Sequence, residues 1–356
     1  MNFGILSKFL IFAIVVTVVS CSGKPKQSRK PVSQVKIENK QNKLVSGENL
    51  LFSVSTKVHN GELDKTEVFI NDEQIAIKNE LAFSIKIENY KQVGKHTIKV
   101  VSTKTDGTVG SSYKSFEVVS DLIPEKYTYK VSNSFPHNIK FFTQGLEFHN
   151  GFLFESTGEN GTSGIYKVNL KTGQPLQSVN LDEQYFGEGI TILNNKIYQL
   201  TYKAQKGFIY DLQSFTQTGE FTFESEQGWG MTNDGKNLIM SDGTHILTFL
   251  DPISLKPLKK LQVADNKGTV QYLNELEYSD GHIYANIYTT DNIVKIDIFS
   301  GKVVAEINLR GILGTYNPNE RIDVLNGIAI GPDNKKMYVT GKLWPKLFEI
   351  ELIKKE

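Results

Sequence analysis

Over residues 35–120 apolar and polar positions alternate in period two: Leu50, Phe52 and Val54, then Phe83, Ile85 and Ile87, then Ile98 and Val100, with Asn71-Asp72 and Gly94-Lys95 as turn signals. No helical period competes with this alternation. Roughly seven short strands in about 85 residues predict an immunoglobulin-like β-sandwich, without the Cys and Trp of an antibody-type domain. Pro124 marks a hinge. From 125 to 356 short strand patterns continue and end in turns such as Lys171-Thr172-Gly173, Asn233-Asp234-Gly235 or Ser279-Asp280-Gly281. The chain is predicted to be all-β.

Five residue pairs punctuate the second half at similar places before an apolar strand: Gln144-Gly145, Glu188-Gly189, Trp229-Gly230, Asn274-Glu275 and Asn326-Gly327. Their second members are 44, 41, 45 and 52 positions apart, the period at which four strands form one blade of a β-propeller. Five units predict a five-bladed propeller over residues 125–356, with an insertion around 311–320. Each blade lends its first strand to the central channel, so the five pairs are expected to converge at one channel end. That convergence predicts a site before any catalytic residue is named.

The leader changes the picture of location. Residues 1–20 carry Lys8, an apolar stretch over 9–19 and then Ser20 before Cys21, which reads as a secretory signal too short to span a bilayer comfortably. Cys21 is the single cysteine, so no internal disulfide forms. Its place after Val18-Val19-Ser20 resembles a bacterial lipobox, which implies cleavage before Cys21, its lipidation, and an exported protein held at the bacterial cell envelope with its folded part in water. An incidental cysteine in a signal cleaved downstream is the alternative. Residues 21–34 are a polar linker, and the run Lys24, Lys26, Arg29 and Lys30 belongs to it. With 40 basic and 39 acidic side chains the net charge is +1, which argues against a nucleic-acid partner.

Among chemical groups Glu188 stands out, in Tyr185-Phe186-Gly187-Glu188-Gly189, because a carboxyl between glycines in a channel-facing slot is poorly hydrated. Poor hydration raises its pKa and suits it to proton transfer near neutrality. On the text alone, a Glu paired structurally with a neighbouring donor stays equally open. Gln144, Asn274 and Asn326 would supply neutral hydrogen-bonding groups, Lys342 a fixed positive charge, and Phe142, Tyr202, Trp229 and Tyr288 an apolar wall. His59, His96, His137, His149, His245 and His282 show no paired ligand spacing, so no catalytic metal is expected. A structural calcium in the channel is left open, with no sequence support. There is no G-x-S-x-G elbow and no phosphate-cradling glycine loop.

Several motifs are recognisable together: F-T-Q-G-L (142–146), L-F-E-S-T-G (153–158), Y-F-G-E-G (185–189), G-F-I-Y-D (207–211), G-W-G (228–230), S-D-G-T (241–244), L-N-E-L-E-Y (273–278), D-V-L-N-G-I-A (323–329) and V-T-G-K-L-W-P-K-L-F-E-I (339–350). In order and spacing they resemble the plant-type glutaminyl-peptide cyclotransferases of plants and bacteria, over about residues 125–352. The resemblance implies a five-bladed propeller that converts the N-terminal glutamine of a peptide to pyroglutamate and releases ammonia, with no cofactor required. It also implies Glu188 as general acid/base, Lys342 near the scissile amide, Gln144 and Asn274 as amide contacts, and Phe142, Phe186 and Trp229 as the aromatic pocket. Where plant members tend to carry tryptophan, this chain has Tyr202 and Tyr288. A monomer is assumed. Two other readings stay open: a lipid-anchored binding propeller without activity, and a lactonase-type hydrolase, which would need several carboxylates around a channel metal.

Overall fold

The computed structural model describes Met1 and residues 28–314, 321–331 and 336–356. The leader, Cys21 and the second half of the expected insertion lie outside the described residues. Among those described, no helix is long and apolar enough to cross a membrane. One 3-10 turn, Lys40–Asn42, is the single helical element among them. The chain is otherwise built from strands.

Eight strands form the N-terminal unit, one more than the alternation suggests: β1 (Val32–Ile37), β2 (Lys43–Val45), β3 (Leu50–Lys57), β4 (Leu63–Ile70), β5 (Glu73–Lys78), β6 (Ala82–Ile87), β7 (Gly94–Lys104) and β8 (Val109–Val119). They make a three-stranded sheet in the order β1-β3-β6 and a five-stranded one in the order β2-β8-β7-β4-β5. Leu50, Phe52 and Val54 of the first sheet bury against Val68, Ile98, Val100, Phe116 and Val118 of the second. Period-two alternation thus produces two facing sheets over one core, each fully buried Leu, Val or Phe stabilising it by about 1.5–3 kcal/mol.

After β9 (Glu125–Pro136) come sets of four antiparallel strands in chain order. The first is β10 (Thr143–His149), β11 (Phe152–Thr157), β12 (Gly164–Asn169) and β13 (Gln174–Asn180). The second is β14 (Gly187–Leu193), β15 (Lys196–Thr201), β16 (Lys206–Asp211) and β17 (Gln217–Thr222), and the third β18 (Met231–Asn233), β19 (Leu238–Ser241), β20 (Ile246–Leu250) and β21 (Pro257–Gln262). The rest is a single eight-stranded sheet. It contains β22 (Leu273–Ser279), β23 (His282–Ile287), β24 (Asn292–Asp297), β25 (Val303–Asn308), β26 (Leu325–Ile330), β27 (Met337–Gly341) and β28 (Lys346–Lys354). Its eighth strand is β9, antiparallel to the C-terminal β28 and parallel to β25. The earliest strand of this half therefore completes the last set, tying the two ends together.

First strands pack on first strands: β10 on β14, β14 on β18, β18 on β22, β22 on β26, and β26 back on β10. The close approach requires small residues at the crossings. A Cβ on Gly145 would lie 2.6 Å from the Ile190 amide nitrogen, so only glycine lets β10 and β14 meet there.

The N-terminal unit docks on the loop that follows β21. Ser120 N–H donates to the Asp265 carbonyl at 2.8 Å, Lys43 Nζ to the Lys267 carbonyl at 2.6 Å, and Thr269 N–H to Glu117 Oε1 at 3.2 Å. Gln262 adds a paired contact, accepting from Lys95 N–H and donating to the Lys95 carbonyl.

Candidate active site

Four of the five residue pairs sit at a local break in strand register. Two residues of the first strand oppose one of the second at Glu188-Gly189, Asn274-Glu275 and Asn326-Gly327, and Gln144 is the extra residue in β10. Just before β18, Trp229 and Gly230 both bond to the backbone of Ser241. Such bulges bend a strand and re-aim a side chain. Here they turn Gln144, Glu188, Trp229 and Asn274 toward one end of the ring.

At that end lies a pocket of about 150 Å3, lined by Phe142, Gln144, Phe186, Glu188, Tyr202, Trp229, Asn274, Tyr288 and Lys342. These nine come from the starts of first strands and the ends of second strands, far apart in sequence. Nine of the ten contact residues expected from the sequence therefore meet in one place. Asn326 does not line the pocket: it is fully buried beneath, donating Nδ2 to the Thr143 carbonyl at 3.0 Å and to Gln144 Oε1 at 3.2 Å. Its amide nitrogen holds Gln144 and the backbone beside it, so it orients a wall residue rather than forming a wall itself.

Aromatic rings make two sides. Phe186 meets Phe142 edge-on at 6.1 Å and Tyr202 at 5.8 Å, while Trp229 meets Tyr288 edge-on at 5.3 Å. Trp229 donates Nε1 to Gln227 at 2.9 Å, and its ring lies over Gly243, where a Cβ would stand 2.7 Å from Cζ2. Lys342 Nζ is 4.6 Å from the Phe142 ring centre and 5.2 Å from that of Tyr288, so the rings hold the ammonium that burial has stripped of water.

Burial pushes the Glu188 carboxyl well above the ordinary range, with the Lys342 charge opposing in part. Burial also lowers Lys342, which Glu188 and Asp323 counteract. No direct ion pair joins Glu188 to Lys342 among the described residues, which leaves both groups free to face a ligand. Asn274 Oδ1 is buried with no hydrogen-bond partner among the described residues, an unsatisfied acceptor at the wall, and the Asn274 carbonyl is anchored by the Ser241 hydroxyl at 2.7 Å.

The sequence reading missed the layer beneath. Glu275 is fully buried and accepts from Leu146 N–H at 3.1 Å and Ile328 N–H at 2.8 Å, bridging β10 and β26. It stands where Gly145, Gly189, Gly230 and Gly327 stand in the other pairs, and that departure from glycine was the available signal. Glu147 and Glu277 lie farther along the channel, also spent on backbone amides, and burial pushes Glu147 up to about 7. Among the described residues no group of three or more His, Cys, Asp or Glu is placed to hold a metal ion. A second missed pair, His137 and Glu155, lies behind the pocket wall.

Comparison with known proteins extends the match beyond this pocket. The chain is 42% identical over 228 residues to a glutaminyl-peptide cyclotransferase of Arabidopsis thaliana, covering 63% of this chain and 71% of that protein. The crystal structure of Myxococcus xanthus glutaminyl cyclase superposes with a TM-score of 0.60 at 33% identity, over 65% of this chain and all of that one. The profile of the glutamine cyclotransferase family matches residues 104–352, which include every residue lining the pocket. Sequence, fold and profile agree over the same stretch, and the chain belongs to the glutamine cyclotransferase family.

Proposed function

We propose that this protein is a glutaminyl-peptide cyclotransferase that closes the N-terminal glutamine of a peptide to pyroglutamate and releases ammonia. The observation that carries this reading is a buried carboxyl, Glu188, that shares a 150 Å3 pocket with one lysine, neutral amides and aromatic rings. A drug-sized ligand needs about 300–1,000 Å3. This pocket suits one side chain folded back on its own α-amine.

In the proposed mechanism Glu188, as carboxylate, takes a proton from the substrate α-ammonium. The free amine then attacks its own γ-carboxamide carbon, and the N–C bond that forms makes a five-membered ring. Lys342 faces the oxygen on which negative charge develops, and Asn274 Oδ1 accepts a hydrogen bond from the attacking amine. Glu188 then moves a proton from the ring nitrogen to the amide nitrogen; the C–N bond to that nitrogen breaks and ammonia leaves, carrying away the first proton as ammonium. Charge and atoms balance, and Glu188 ends as it began. Folding the substrate back supplies much of the rate, because an intramolecular attack avoids the cost of bringing two reactants together.

The sheets that frame this site are read as five blades of a propeller, β9 completing the fifth, and the N-terminal unit as immunoglobulin-like. Export, lipidation at Cys21, attachment to the cell envelope, a monomeric state and independence from cofactors belong to the same proposal. The test is ammonia release and product mass from a short peptide beginning with glutamine, with and without chelator, using protein that starts after Cys21. Chelator-resistant loss of one ammonia per peptide is expected. No turnover by folded protein across several such peptides would overturn the reading.

A further inference from the structure

Behind the pocket wall His137 and Glu155 form a buried pair that takes no part in the reaction sequence above. His137 Nε2 is 2.9 Å from Glu155 Oε1 and Nδ1 is 2.6 Å from the Trp344 carbonyl. A carbonyl oxygen only accepts, so Nδ1 carries a hydrogen; the other nitrogen shares its proton with the carboxylate. The Thr143 hydroxyl donates to the same Glu155 oxygen at 2.7 Å, while Oε2 has no partner among the described residues. Glu155 is fully buried and His137 nearly so. Buried pairs of this kind are often matched or surpassed in stability by apolar residues of similar volume, so stability alone is a weak account of this one.

What the pair holds is specific. His137 N–H donates to the Pro345 carbonyl at 3.0 Å, and Leu343 N–H to the Phe141 carbonyl at 2.7 Å. With the imidazole bond to Trp344, three contacts fasten the turn 342–345 to the segment 137–143. The turn contains Lys342, and the segment leads through Phe142 to Gln144. Leu343 has φ of +62°, a left-handed conformation that costs a branched residue energy and persists only where neighbours impose it. On the other side, Thr143 is bound through its hydroxyl to Glu155 and through its carbonyl to Asn326.

We propose that His137 and Glu155 are positioning residues whose buried pair clamps the strained turn after β27 and thereby sets the Lys342 ammonium over the Phe142 ring. Neither touches the substrate; both act through Lys342 and Thr143. The turnover arm of the following test rests on the cyclotransferase reading, whereas its exchange arm does not. Glu155→Gln keeps the shape and removes the charge: an amide nitrogen at the Oε1 position donates one hydrogen to His137 Nε2 and the other to the Thr143 hydroxyl, which turns to accept it. Glu155→Leu keeps volume and removes the clamp.

Amide hydrogen exchange at Leu343 and turnover of a glutamine peptide are measured for both variants in the whole protein, with exchange in β14 and β15 as an internal control. For Glu155→Leu, exchange at Leu343 is expected to rise about tenfold or more with the control unchanged. Its kcat is expected to fall up to about 100-fold, the loss that a 1 Å misplacement brings, with a smaller change in KM. Glu155→Gln is expected to stay within about threefold of the parent in both. Should Glu155→Leu fold poorly, the double change His137→Phe with Glu155→Leu removes both charges at once, and the same readouts apply. A folded leucine variant with parental kcat and parental exchange would overturn the inference. So would a glutamine variant that loses turnover while Leu343 stays protected, since the charge and not the position would then matter. If the parent protein itself releases no ammonia, the cyclotransferase reading fails and exchange at Leu343 alone decides the clamp.

Discussion

Replacing Glu188 by glutamine tests the chemistry and the electrostatics together. Among the described residues that line the pocket there is no second carboxyl: its other ionisable walls are Lys342, Tyr202 and Tyr288, and Glu275 below is held by two backbone amides. A general acid/base contributes about 10²–10⁴-fold, and one carboxyl that serves both proton transfers should sit at the upper end. The expected loss in kcat is about 10⁴-fold, or about 5 kcal/mol at 1.36 kcal/mol per decade. Stability should move the other way. A carboxyl raised by burial holds its proton to higher pH when folded than when unfolded, so stability is fully present below the unfolded value of about 4.3 and is lost as pH rises toward the folded value. Glutamine removes that loss. Each pKa unit is worth about 1.4 kcal/mol, or about 3–6 °C in Tm for a domain of this size, partly offset because Lys342 loses its counter-charge. The assay pairs ammonia release with thermal unfolding at pH 4 and pH 8. An inactive variant with Tm equal to the parent at pH 4 and higher at pH 8 is expected. Turnover within tenfold of the parent, or a Tm lower at pH 8 than the parent's, would refute the reasoning.

Lys342→Met should lower kcat and also shift the acid limb of the rate profile to higher pH. The lysine charge holds the Glu188 pKa down, and activity requiring the carboxylate is lost as pH falls through that value; an unmoved limb in the pH profile of kcat/KM would contradict the coupling. Trp229→Ala removes half of the Trp229–Tyr288 wall and should raise KM about 10–100-fold with less than tenfold change in kcat, read from steady-state kinetics; the same KM would remove it from the pocket. Gly145→Ala puts a Cβ against the backbone of β14 and should destabilise by about 1–3 kcal/mol in denaturant titration, with activity falling because Gln144 shifts; parental stability would show that the strands can separate.

Much of this molecule was written in local pattern. Alternation at Leu50, Phe52 and Val54 is enough to define a strand with one buried face, and the return of similar pairs every 41 to 52 positions marks where the first strands at the pocket begin. The same text marked Glu188 by its flanking glycines. Other features were not legible because they depend on partners distant in the chain. The eighth strand of the N-terminal unit, β2, is three residues long and exists as a strand because β8 lies parallel beside it. Nothing local in β9 says that it joins β25 to β28. Asn326 reads like the other four pair members, and its burial beneath Gln144 follows from the closure of β26 onto β10.

Sequence by itself determined the strand alternation and which residue types stand where chemistry would be needed, because these depend on neighbours within a few positions. Tertiary structure alone decided that bulges turn Glu188, Asn274 and Gln144 into one pocket, that Glu275 and the His137–Glu155 pair lie buried beneath and behind it, and that burial raises Glu188 while lowering Lys342. A carboxyl's affinity for its proton is set by the water and charges around it, and those surroundings exist only once strands more than a hundred residues apart have packed into a ring.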